Sequence, residues 1–288
     1  MKKRRIILAV AIMCIVALFG ATLCACDLSQ FFGVASSPKD HYIIDITNLT
    51  DISVANVVAN NSMEKAVRIE TSFTDGTLSI GSGFVISETG HILTNAHCVE
   101  PSPQTTRKGL VVKFVSGIRY FDAQVEVLKV DANLDIAVLK IASMQTDKKF
   151  QFFEFAPLAT QEDGKKKETL RYGEMCFTIG HPENIGFLFS SAMVSSPVSM
   201  IKSGNGAEIE TIILDSSINH GNSGGPLINA SSQAIGMVNA RVESKEGINN
   251  VYGIGLAIPR TVIFKYLDAE HIPYVVATPP TTPPTPAK

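Results

Sequence analysis

The chain has 288 residues, 45% of them hydrophobic and 18% charged, which suits one large folded body or two lobes and excludes a disordered polar chain. Its formal charge is −2, and four of its 25 basic residues, Lys2, Lys3, Arg4 and Arg5, stand at the very start. Without the first 25 residues, 21 basic face 27 acidic side chains, a charge of −6 that excludes electrostatic attraction to nucleic acid or anionic lipid.

The basic cluster at the start precedes an apolar run from Ile6 to Gly20 and then small residues, the pattern of an export signal over residues 1–25. Leu23-Cys24-Ala25-Cys26 resembles the lipobox of bacterial lipoproteins, which implies that Cys26 becomes the lipidated first residue. An uncleaved signal anchor is the alternative, because Ile6 to Cys26 is also long enough to span a bilayer. Both readings put the body outside the cytoplasm, and the lipoprotein reading anchors it to the cell membrane. Residues 26–62 read as a polar tether.

From Lys65 to Ile141 short alternating or apolar runs are separated by turn residues. Ala66 to Phe73, Ile80 to Ser87, Gly109 to Val115, Tyr120 to Val130 and Ile136 to Ile141 read as strands of a first lobe, residues 63–143. Residues 144–170 read as an exposed connector. Strands resume at Glu174 to Ile179, Phe187 to Ser195, Ile209 to Leu214, Ala234 to Val242 and Val251 to Ala257, and Pro259 opens a helix to about Leu267 in a second lobe, residues 171–276. Two such sets predict an all-β protein of two small antiparallel barrels with a short C-terminal helix. Residues 277–288 form a proline-rich tail, extended and outside the core. Of five cysteines only Cys98 and Cys176 fall in the body, where two buried thiols are expected, and no cysteine or histidine cluster has metal spacing. Neither a metal nor a cofactor is implied.

Gly221-Asn222-Ser223-Gly224-Gly225-Pro226-Leu227 carries the first chemical signal. A serine hydroxyl becomes a useful nucleophile only beside a base and beside donors for the developing oxyanion. Glycines on both sides let the backbone turn the N–H groups of Gly221 and Ser223 toward one point. The same residues satisfy the G-x-S-x-G elbow of α/β-hydrolases. That elbow runs directly into a helix, for which Gly224-Gly225-Pro226 is a poor start, and the βαβ alternation of a parallel sheet is missing. A lipase or esterase is therefore disfavoured.

Upstream, Thr94-Asn95-Ala96-His97-Cys98 offers a base whose ordinary pKa of about 6.5 lets it accept and return a proton. His41, His91 and His271 read as ordinary surface or core histidines. The third member needs to be a carboxylate that orients the imidazole. Asp135 directly precedes the apolar run Ile136-Ala137-Val138-Leu139, whereas Asp131 reads as a turn residue.

His97, Asp135 and Ser223 stand in the chain order of chymotrypsin-like proteases. Thr94-Asn95-Ala96-His97, Asp135-Ile136-Ala137-Val138-Leu139-Lys140 and Gly221 to Leu227 resemble, more narrowly, the HtrA-type (DegP-like) branch, and the likeness continues through Gly81-Ser82-Gly83-Phe84, Ile179-Gly180-His181-Pro182 and Gly253 to Pro259. The resemblance implies a double β-barrel of six-stranded lobes with the triad in the cleft between them. It implies a serine endopeptidase acting on exported or misfolded proteins at the outer face of a membrane, and bodies that often form homotrimers. It also places Ser217, six residues before the nucleophile, at the base of the primary substrate pocket with Ile218 beside it. With no carboxylate there, small or medium apolar side chains are expected over Arg or Lys. The sequence departs from the branch in having only the proline-rich tail where a PDZ domain usually follows, in His181 standing where an asparagine is usual, and in His220 close to the nucleophile. The partner of Cys98 seen in digestive proteases is missing near Gly83, so a free thiol is expected. A catalytically silent homologue serving as a binding or chaperone-like module is the competing reading, although all three triad positions are filled.

Overall fold

Apolar strands that must bury a face, joined by short turns, close on themselves twice. The computed structural model describes residues 53–100, 106–116, 119–144, 149–182, 186–202, 208–216, 218–241 and 253–278. The export signal, Cys26, His41, most of the tether, Ser217 and the end of the tail lie outside the described residues. Strands β1 (Ala66–Phe73), β2 (Leu78–Val85), β3 (His91–Thr94), β4 (Arg107–Ser116), β5 (Arg119–Asp131) and β6 (Ile136–Met144) form a closed antiparallel barrel in the order β1-β2-β3-β6-β5-β4. A small hairpin, β7 (Ala159–Thr160) with β8 (Lys166–Lys167), sits in the connector. Strands β9 (Met175–Gly180), β10 (Leu188–Lys202), β11 (Glu208–Asp215), β12 (Pro226–Ile228), β13 (Ala234–Arg241) and β14 (Ile254–Pro259) close the second barrel in the order β10-β11-β14-β13-β12-β9. Counted from β9, that is the path of the first barrel again, and closure leaves neither with an open edge.

The core has three parts. Val67, Ile69, Val85, Ile92, Ala137 and Leu139 fill the first barrel, and Val194, Ile212, Leu214, Leu227, Val238 and Ala257 fill the second. The third part joins the lobes: Phe84, Leu93, Ile136 and Val138 from the first barrel meet Phe177, Ile179, Met237 and Ile258 from the second. Successive residues of a strand face opposite ways. Ile136 and Val138 therefore enter the seam while Ala137 and Leu139 enter the barrel, which is why β6 reads as an unbroken apolar run instead of alternating.

Among the described residues the helices are few. Helix α1 (Val54–Ser62) is capped by Ser53, whose hydroxyl accepts from the Asn56 N–H at 3.3 Å. The short α2 covers Ala96–Val99, and α3 (Arg260–Ala269) follows Pro259, which caps it one residue earlier than the sequence reading placed it. Two stretches behave differently from that reading. The end of the tether is α1, with Val58 fully buried, and the connector threads Phe153 and Phe155 into the seam. There Phe84 meets Phe153 edge-on with centroids 5.8 Å apart. Aromatic rings in a polar-looking segment are held by a seam that exists only after both barrels have formed. The two described cysteines, Cys98 and Cys176, are buried free thiols.

Candidate active site

His97 sits on α2, at the end of β3, and Asp135 sits in the turn that leads into β6. Because β3 and β6 are antiparallel neighbours, with Thr94 opposite Ala137, their adjoining ends bring the two residues together. The imidazole Nδ1 lies 2.7 Å from Asp135 Oδ2, and the His97 backbone N–H donates to Oδ1 at 2.9 Å. Asp135 holds a left-handed backbone (φ 54°) that non-glycine residues avoid, and the Asn95 side chain donates to its carbonyl at 2.9 Å. Asp131 does what its turn position predicts: its Oδ1 accepts from the N–H groups of Asn133 and Leu134 at 2.8 and 3.0 Å.

The other end of the carboxylate is held from the second barrel. Asn239 Nδ2 donates to Asp135 Oδ2 at 2.9 Å. The pairing of β13 with β14 shifts register between Val238 and Ala240, so Asn239 occupies an irregularity in the strand, the kind of place where a side chain is re-aimed. Burial alone would lower the His97 pKa, but the hydrogen bond it donates to Asp135, reinforced by the neighbouring Cys98 and by the carboxylate charge, outweighs it and raises the value to about 10. The side chain remains 45% exposed.

Ser223 lies on the loop before β12, and the first barrel grips that loop through one residue. The Ser82 N–H donates to Ser223 O at 2.8 Å, while the Ser82 hydroxyl donates to Gly221 O at 2.6 Å and accepts from the His181 N–H at 3.0 Å. Cys98, next to the imidazole-bearing residue, places its Sγ 3.5 Å from Ser223 O. Gly81 leaves room for this: a Cβ there would stand 2.5 Å from Cys98 Sγ. Gly221 has φ 97°, and a Cβ would stand 2.3 Å from His181 O. Gly224, with φ 83°, would meet Ser82 O at 2.2 Å. No side chain fits at either glycine without moving backbone. Among the described residues the N–H groups of Gly221 and Ser223 donate to no other residue, and the Ser223 hydroxyl makes no hydrogen bond to His97. Hydrogen bonds between catalytic groups are often long or poorly aligned and tighten only as a complex forms.

Behind the loop His181 is buried, with its Nε2 2.9 Å from Arg68 Nη1. Burial first, and then the Arg68 charge, lower its pKa. Ile218 is buried with its side chain against Gly255, where a Cβ would stand 2.6 Å from Ile218 Cδ1. His91, an ordinary surface or core histidine in the sequence reading, is buried with Nδ1 2.8 Å from the Ser87 hydroxyl. Sequence reasoning missed Ser82, Asn95 and Asn239. The available signals were a serine between two glycines in a strand and an asparagine interrupting the apolar run of β13.

A family model described as the trypsin-like peptidase domain matches residues 81–237. The chain is 34% identical over 197 residues to serine protease HTRA1 of Xenopus tropicalis, covering 66% of this chain and 36% of that protein. It is 34% identical over 204 residues to the chloroplastic protease Do-like 5 of Arabidopsis thaliana, covering 68% and 57% respectively. The chain thus spans between about a third and just over half of the length of these curated relatives. A solved structure described as HtrA-type protease AlgW with tripeptide superposes with a TM-score of 0.59 at 27% identity, over 76% of this chain and 63% of that one.

Proposed function

Because the chain belongs to the trypsin-like peptidase family and matches serine proteases on its HtrA-type branch, we propose that it is a serine endopeptidase whose triad is Ser223, His97 and Asp135. One observation carries the assignment: an imidazole paired through Nδ1 with a carboxylate at 2.7 Å, beside a loop whose serine carbonyl is bonded to the strand next door. Ser223 Oγ attacks the peptide carbonyl as His97 Nε2 takes its proton. The N–H groups of Gly221 and Ser223 hold the oxyanion, each such donor contributing about 3 kcal/mol to the barrier reduction. His97 then protonates the departing amine, and water, deprotonated by the same imidazole, resolves the acyl-enzyme. Asp135 keeps the Nδ1 proton in place and stabilises the imidazolium, while Asn239 and the His97 N–H hold the carboxylate.

The floor of the primary pocket is assigned to Ser217 and Ile218. The buried aliphatic side chain of Ile218 against Gly255 supports a preference for small or medium apolar residues over Arg or Lys. The substrates are taken to be exported or misfolded proteins, met at the outer face of a membrane to which lipid on Cys26 tethers the chain; the signal motif supports this. A homotrimer follows from family resemblance alone.

The test is cleavage of casein and of a peptide library by the chain from Asp27 onward, together with labelling by a fluorophosphonate probe. Wild type is expected to cleave and to label, and Ser223→Ala to lose both, with a fall in kcat of about 10⁴-fold or more. An unlabelled wild type, or equal cleavage by Ser223→Ala, overturns the triad; a cleavage profile dominated by Arg or Lys overturns the pocket assignment.

A further inference from the structure

On the second lobe, away from His97 and Ser223, helix α3, the connector hairpin and the start of the tail enclose a groove of about 640 Å³. Its apolar lining includes Leu158, Val198, Phe264, Tyr274 and Val276. The rings of Phe264 and Tyr274 stack with centroids 4.9 Å apart, and Tyr274 is fixed by its hydroxyl donating to Asp268 at 2.9 Å. Val198 and Val276 remain 46% and 41% exposed, apolar surface for which the described residues provide no cover.

One lining residue is a buried carboxylate. Glu168 is 95% buried, since only 5% of its side chain is exposed. Its Oε1 accepts from the N–H groups of Thr169 and Leu170 at 2.7 and 3.1 Å and pairs with the buried Arg260. Its Oε2 is buried and has no hydrogen-bond partner. Arg260 Nε, in the same ion pair, is likewise buried without a partner.

The segment best placed to fill the groove is the chain's own tail. Val276 belongs to the lining, and the Ala277 N–H is bonded to Phe155 O at 2.9 Å, so the chain leaves the fold at the rim of the groove. Residues 279–288 read Pro-Pro-Thr-Thr-Pro-Pro-Thr-Pro-Ala-Lys. A polyproline II helix has three residues per turn, so Pro280, Pro283 and Pro286 fall along one edge. Aromatic grooves accept such edges because the extended helix is preformed and loses little entropy on docking. At about 3.1 Å per residue, ten residues reach about 31 Å, ample to lie along the groove.

We propose that residues 279–288 dock as a polyproline II strand in the groove between Phe264, Tyr274 and Val198. This does not rest on the catalytic assignment. The experiment uses a fluorescent peptide of residues 279–288, read by anisotropy against the full chain and against a chain ending at Thr278. The shortened chain is expected to bind it. The full chain is expected to bind at least about ten-fold more weakly, because a tethered segment competes at an effective concentration in the millimolar range. Val198→Glu in the shortened chain, at an exposed position that leaves the core intact, is expected to abolish binding, as is Ala at Pro280, Pro283 and Pro286 of the peptide. Failure of the shortened chain to bind overturns the proposal. Equal binding by both chains overturns it in favour of a separate proline-rich partner, and indifference to Val198→Glu shows that the peptide binds elsewhere.

Discussion

The two barrels follow one strand path and do opposite jobs. The first barrel presents His97 and Asp135 on the adjoining ends of two buried, paired strands, so their separation is set by sheet geometry and by apolar side chains packed on both faces of β6. The second presents Ser223 on a loop whose glycines are needed because backbone atoms crowd the places where side chains would go. One lobe fixes a pair through packing; the other fixes the proposed nucleophile through absent side chains and borrowed hydrogen bonds. The same architecture thus offers two routes to precision, and they should fail differently.

Loss of Ser223 itself aside, the largest effect is expected on the packed side. Asp135→Asn keeps the shape of the pair and loses the charge, and kcat should fall by about 10⁴-fold, as an amide orients the wrong tautomer. The pH profile sharpens this. His97 works as a base only when unprotonated, and its raised pKa means that wild-type kcat/KM climbs with pH through an ionisation above the ordinary histidine value. Removing the carboxylate should move that inflection to lower pH; an unmoved inflection would mean that Asp135 does not govern the imidazole.

A smaller loss is expected from the loop. Gly221→Ala puts a methyl group into His181 O at a left-handed backbone position, displacing one oxyanion donor, and should lower kcat by about 10²–10³-fold. Thermal unfolding should change little, since a loop and not a barrel is disturbed. A variant that instead melts far below wild type would show that the loop supports the fold, and the contrast between the lobes would collapse. The smallest effect belongs to the borrowed contacts. Ser82→Ala removes the hydroxyl shared by Gly221 O and the His181 N–H, and a loss of about 1–2 kcal/mol should appear as roughly ten-fold in kcat with KM nearly unchanged. An equal fall on the KM side would place Ser82 in substrate binding instead.

Much of this was legible in the sequence because local pattern and global arrangement agreed. Strands with several alternating apolar residues, such as β1 and β11, stood out; β3 and β12, at four and three residues, are too short to show a period. His97, Asp135 and Ser223 stood out as chemical residue types in distinctive surroundings. Ser82 and Asn239 did not, because their value comes from a neighbour in the other lobe, 139 residues away for Ser82 and Gly221 and 104 for Asn239 and Asp135. Phe153 and Phe155 were illegible for the same reason, as nothing in a connector announces a seam made by segments on either side of it.

The grip of Ser82 on the nucleophile loop has a consequence for the life of the chain. A half-made molecule, with one barrel closed and the other still loose, carries every chemical group of a protease and cannot hold them in register. Assembly itself thus acts as the safety catch, because the proposed catalytic geometry is complete only in the finished shape.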